Sequence, residues 1–202
     1  MAKSSCFMFL STSLPTGRLA LKLVENTLSI VNKSAVIAGV YSFILWAVEP
    51  LQSIAEAHRL GRRIGEQTGD YLHTALNWHF SILLSYLAGG SLTEVIANIQ
   101  DYITTMQGQS GETFIRGPIL LYHQARVLKE GLCELDVEPP NNILTEAEAH
   151  QRFSSVPLFL SQNKVHQLVR AYLFRRLNDV SLDIVNISND IERNRHQLRP
   201  CK

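Results

Sequence analysis

The residues with the most chemical potential are seven histidines, a glycine ladder and two arginine groups. The histidines are His58, His73, His79, His123, His150, His166 and His196. His73 and His79 are six apart, which puts them on different helical faces rather than at the four-residue spacing of a helical zinc pair. His58, His79 and His123 fall at apolar positions, where a histidine usually serves as a hydrogen-bonded core or rim residue. With no Cys-x-x-Cys pair, a metal site is not expected. Gly61, Gly65 and Gly69 recur every four residues. A dinucleotide fingerprint needs a preceding strand, and a phosphate loop needs a following Gly-Lys-Ser/Thr. Neither is present, so close helix packing is the expected role. Arg59, Arg62 and Arg63, and again Arg170, Arg175 and Arg176, lie on polar helix sides. Solvated faces are the default, and a docking surface for an acidic partner is the functional reading. Asp179, Asp183, Asp190 and Glu192 spread around one helix instead of converging, so no acid–base carboxylate pair is indicated. There is no Gly-x-Ser-x-Gly nucleophile elbow. No catalytic, cofactor-binding or metal-ligating residue is assigned, and the weak candidates for a partner surface are Arg59, Arg62 and Arg63.

The elements that would position these residues centre on residues 51–90. Leu51, Ile54, Ala55, His58, Gly61 and Ile64 share one helical face. Gly69 can end that helix in the left-handed conformation, and Asp70 can cap the next. The second helix is expected to bury Leu72, Ala75/Leu76, His79/Phe80, Leu83/Leu84 and Leu87, and Gly89–Gly90 stops it. So short a turn makes the pair antiparallel. A hairpin with one apolar face needs neighbours of its own kind.

Upstream, Pro15 is expected in the first turn of a helix capped by Ser13 and running to about Asn32. Ser34 is expected to cap a second helix running to Glu49, where Glu49–Pro50 ends it. From Ser34 to Val48 there is no charge, but the run falls short of the about 20 residues that span a bilayer. Downstream, Ser91–Glu94 and Thr145–Glu148 read as capping boxes. A helix is expected from Thr113, with Pro118 near its start. Residues 133–142 form a Pro-Pro interruption. A short helix ends near Phe153, and Asn163 is expected to cap the next. Asn178–Asp179 resembles the Gly69–Asp70 turn and precedes a last helix.

The expected fold is all-α: helical hairpins stacked as a tetratricopeptide-like α-solenoid, with a compact helical bundle as the alternative. The divisions are an ill-defined segment at 1–14, hairpin repeats at 15–132, a loop at 133–144 and a further hairpin at 145–202.

At 202 residues, with 46% hydrophobic and 18% charged, the chain can bury a core. Nineteen basic and 18 acidic residues leave a net charge of +1, so the charge gives no support to nucleic-acid binding. Three separated cysteines (Cys6, Cys133, Cys201) suit a reducing, cytoplasmic setting better than a disulfide framework.

The segment PLQSIAEAHRLGRRIGEQTGDYLHTALNWHFSILLSYLAGGSLTEV resembles the helical-repeat region of large signalling kinases. These join a protein-kinase-like domain, an AAA-type ATPase and a histidine-kinase or cyclase end. The places that carry the resemblance are Ala57, Gly61, Gly69–Asp70, Ala75, Asn77, Gly90, Leu92 and Glu94–Val95. The flanking SAVIAGVYSFIL and RAYLFRRLNDVSLDIV extend it across most of the chain. The resemblance implies a non-catalytic scaffold for protein–protein or interdomain contacts in signal transduction. Its partner is a protein or a sibling signalling domain, with no nucleic acid, no membrane and no cofactor, and its oligomeric state is open. It also implies that the repeat array continues past Lys202, in a fragment or shortened relative. The alternative is a piece of an ATP-dependent kinase or ATPase polypeptide that contributes to catalysis only with its missing domains.

Overall fold

The computed structural model describes residues 2–26, 32–109, 112–131, 138–140 and 142–175. The elements are α1 (Ala2–Asn26), α2 (Lys33–Phe43), a 3-10 turn (Leu45–Ala47), α3 (Leu51–Thr68), α4 (Tyr71–Leu87), α5 (Leu92–Gln109), α6 (Arg116–Glu130), α7 (Glu146–Phe153) and α8 (Pro157–Leu173). No strand occurs among the described residues. The chain is all-α, and these elements are compatible with both a stacked-hairpin and a bundle arrangement. No helix among the described residues is long and apolar enough to cross a membrane. Cys133, Cys201, Arg176, the Asn178–Asp179 turn, the expected last helix and its acidic residues lie outside the described residues.

The chain divides into two compact units, residues 1–98 and 99–202. In the first, α3 and α4 form the expected hairpin. Gly69 sits at φ 70°, where a side chain would clash with the backbone, and its amide donates to Gly65 O. The Asp70 side chain accepts from the His73 amide. Ile54, Ala55 and Leu84 form a core cluster with Tyr41, Leu51 and Phe80 packed on it.

Four local expectations fail in this unit. Pro15 lies inside α1 rather than opening it. Its ring is exposed, so proline's preference for a first turn permitted but did not fix a helix start there. Ser34 does not cap α2, since Asn32 occupies that place with φ 70°. The Ser34 hydroxyl instead donates to Gly61 O at 2.9 Å. The uncharged stretch after Ser34 is not one helix, because α2 ends at Phe43 and a 3-10 turn follows. Finally, α4 buries Thr74, Ala75, Asn77, Trp78, Ser81, Ile82 and Leu84, while Leu72 and Leu87 are 51% and 55% exposed. The polar members of that face are accepted because each finds a partner: Thr74 donates to Asp70 O and Ser81 to Trp78 O.

The second unit is built on α6, whose residues Pro118 through Val127 are all buried. Ile99, Tyr102, Ile103 and Met106 of α5 are buried as well. The Tyr102 hydroxyl donates to Phe114 O at 3.3 Å. Phe153 of α7 meets Phe159 of α8 edge-on at 5.3 Å. The Thr145–Glu148 capping box forms fully. Helix α8 starts at Pro157, and Asn163 is buried within it rather than capping it. Arg170 is not on a solvated face: only 13% of its side chain is exposed. Its Nε donates to Gln124 at 2.8 Å, and Nη1 to Glu146 at 3.1 and 3.0 Å.

Candidate functional site

Two polar arrangements in the first unit compete for a functional reading. The first is buried between α2, α3 and α4. His58 is fully buried, and its ring stacks on Phe80 at 5.3 Å. Its Nδ1 donates to Asn77 Oδ1 at 2.8 Å, which leaves Nε2 as the acceptor for the Ser42 hydroxyl at 3.4 Å. Asn77 Nδ2 lies 3.0 Å from Ser34 O, 3.0 Å from Ser34 Oγ and 2.8 Å from His73 O. Every strong group in this network is thereby occupied.

The glycine ladder explains how Asn77 fits. A Cβ on Gly61 would stand 2.6 Å from Asn77 Oδ1, and one on Gly65 would strike the Thr74 hydroxyl and reach 2.8 Å from Ser34 Oγ. The expected close packing is therefore met at Gly61 and Gly65, while Gly69 serves the turn. Burial lowers the His58 pKa against the opposing effect of the Asn77 bond. His79 is pushed down to about 4 by burial and then by His58. His58 thus sits inside a satisfied network, which is a device for fixing helices. His123 in the second unit follows the same pattern: its Nε2 donates to Leu144 O at 2.9 Å, and burial lowers its pKa. No group of three or more His, Cys, Asp or Glu side chains suited to a metal occurs among the described residues.

The second arrangement is a cleft of about 320 Å³ on the outer side of α3 and α4, closed by the start of α5. Its floor is apolar, with Ala55, Ile82 and Val95 all buried. Around them stand Gln52, Glu56, Arg59, Arg62, Trp78, Ser85, Ser91, Glu94 and Asn98. Two of the three sequence candidates are thus brought together here. Arg62 lies flat on Trp78, its guanidinium carbon 3.4 Å from the ring centroid. Its Nε donates to Glu66 at 2.7 Å. Arg59 pairs with Glu56 through Nη1 and donates from Nη2 to Ser85 Oγ at 2.9 Å. Arg63 is exposed and does not line the cleft.

The α4–α5 turn sets the far wall. Gly89 takes φ 78°, and the Gly90 amide donates to Ser85 O at 2.9 Å. Ser91 and Glu94, just after this turn, line the cleft together with Ser85. The expected Ser91–Glu94 cap is long, with the Glu94 amide 3.5 Å from Ser91 Oγ. Trp78 is the site residue that sequence reading missed. Its place over Arg62 of the neighbouring helix is a property of how α3 and α4 pair, and no local pattern signals it. Comparison with family models, with characterised proteins and with solved structures finds no match.

Proposed function

We propose that the chain is a non-catalytic helical interaction module whose cleft at Arg59, Arg62 and Trp78 receives a segment of a partner protein. The observation that carries this is the composition of the cleft: a buried apolar floor ringed by a few fixed polar groups. That is the make-up of a binding site. A reacting centre also needs a positioned nucleophile or base. In the cleft, the arginines are paired with carboxylates and the serines with main-chain or arginine groups. The setting that the family resemblance suggests is cytoplasmic signalling, with the partner a protein or a sibling domain.

The test is site-specific photo-crosslinking of the full chain in cells of the source organism. A crosslinking residue is placed at Asn98, in the cleft wall, and in a control at Leu158 of α8, which is 68% exposed. A discrete adduct confined to Asn98, reproduced with the purified partner, supports the reading. The same adducts at both positions, or none at Asn98, overturn it.

A further inference from the structure

Arg62 is the group in the cleft with capacity to spare. Its face is taken by Trp78 and its Nε edge by Glu66. Neither Nη1 nor Nη2 has a hydrogen bond among the described residues. With face and one edge held, the side chain keeps one orientation and presents the remaining Nη1–Nη2 edge without a rotamer search. A guanidinium edge with two parallel N–H groups matches one carboxylate, two bonds at a time.

The other charges around the cleft narrow the ligand further. Glu56 is neutralised by Arg59, but Glu94 has no ion pair among the described residues. An uncompensated carboxylate on the wall disfavours phosphate groups and runs of acidic residues, and leaves room for a single negative charge. A chain-terminal carboxylate is disfavoured on separate grounds. Such groups are captured by free main-chain amides. Here the amides of the α4–α5 turn are spent: Ala88 donates to Leu84 O, Gly89 to Tyr86 O and Gly90 to Ser85 O. The amides left open, in the first turn of α5, stand next to the Glu94 carboxylate, which repels a terminal carboxylate.

We infer that the occupant is an internal peptide segment carrying one aspartate or glutamate side chain, gripped by the free edge of Arg62, with an adjoining apolar side chain on Ala55, Ile82 and Val95. This rests on the binding reading above and specifies its chemistry. The probes are acetylated, amidated nonapeptides of alanine, leucine and serine with one central glutamate. Matched peptides carry glutamine there, or glutamine with a free C-terminal carboxylate. Binding to the full chain is read by fluorescence polarisation.

The glutamate peptide should bind about tenfold or more tighter than its glutamine partner, as a charge-assisted pair requires. Arg62→Lys keeps the charge but loses the fork, and it should remove most of that preference. Arg63→Ala, outside the cleft, should leave affinity within about twofold. Gln52→Trp, which fills the exposed rim without removing a bond of Arg62, should abolish binding and serves if Arg62→Lys fails to fold. Equal binding of the glutamate and glutamine peptides overturns the inference but leaves the cleft a peptide site. So does preference for the free C-terminus. Preference unchanged by Arg62→Lys, or binding unchanged by Gln52→Trp, overturns it by placing the contact elsewhere. No binding by any peptide overturns it too, and the binding reading then rests on the crosslinking result alone.

Discussion

Asn77 ties three helices together with one amide. It accepts from His58 of α3 and donates toward Ser34 of α2 and to His73 O of its own helix. Gly61 is the space in which that amide sits. Two glycine substitutions should therefore differ in sign. In α2, Gly39 has nothing within 4 Å of an added Cβ. Gly39→Ala should stabilise the chain by about 0.5–1 kcal/mol, the ordinary helix-propensity gain. Gly61→Ala makes the same gain but drives a Cβ into Asn77. Overpacking and the loss of buried hydrogen bonds outweigh it, for a net loss of about 2–3 kcal/mol. Urea unfolding followed by circular dichroism checks both, and a neutral Gly61→Ala would contradict the packing role. The ladder itself was legible in the sequence, because glycines at four-residue spacing mark one helix face. Its counterpart was not placed: the face expected to be buried on α4 included Leu72 and Leu87 but neither Thr74 nor Asn77, and Asn77 stood out only through the family resemblance.

Helix ends were legible where a side chain and a special backbone angle coincide. Gly69–Asp70 joins α3 to α4 as expected, and Thr145 opens α7 with its Glu148. Asp70→Ala should cost about 1 kcal/mol, the usual worth of such a cap. It should lower the thermal midpoint of the full chain by a few degrees, and no shift would mean that the His73 amide finds another acceptor. Ends were misread where the signal only permits. Pro15 was compatible with a first turn yet sits inside α1, and Asn163 was compatible with a cap yet is buried in α8. Proline and asparagine tolerate those places, and tertiary contacts decide. The cleft was half legible for the same reason. Arg59 and Arg62 share a polar helix side, which periodicity shows. That Ile82 and Val95 join Ala55 in the floor beside them, with Trp78 against Arg62, depends on how α4 packs and how the turn after Gly89 folds.

For the molecule as a whole, histidines that are buried (His58, His123) or half-buried (His79, His166) link stability to pH. Burial holds His58 and His123 below the ordinary 6.5 and pushes His79 down to about 4. Burial, then Arg170, pushes His166 to about 4 against Glu146. Folded values below the unfolded value mean that the unfolded chain takes up protons first as pH falls. The stabilisation is fully present above about pH 6.5 and is lost as pH drops toward 4. The urea midpoint should therefore fall steadily between pH 7 and pH 4.5, before the carboxylates whose bonds hold them low, Glu112 with Arg152 and Glu148 with Thr145, begin to protonate. A flat profile across that window would show that these rings are not held neutral.

The cleft at Arg59, Arg62 and Trp78 is the proposed seat of a partner. Its most direct measurement is a heteronuclear NMR titration of the ¹⁵N-labelled full chain with the single-glutamate nonapeptide. Shifts should concentrate on Ala55, Arg59, Arg62, the Trp78 indole, Ile82 and Val95, and should vanish in Gln52→Trp. Shifts gathered on another surface, or scattered evenly along the chain, would contradict it.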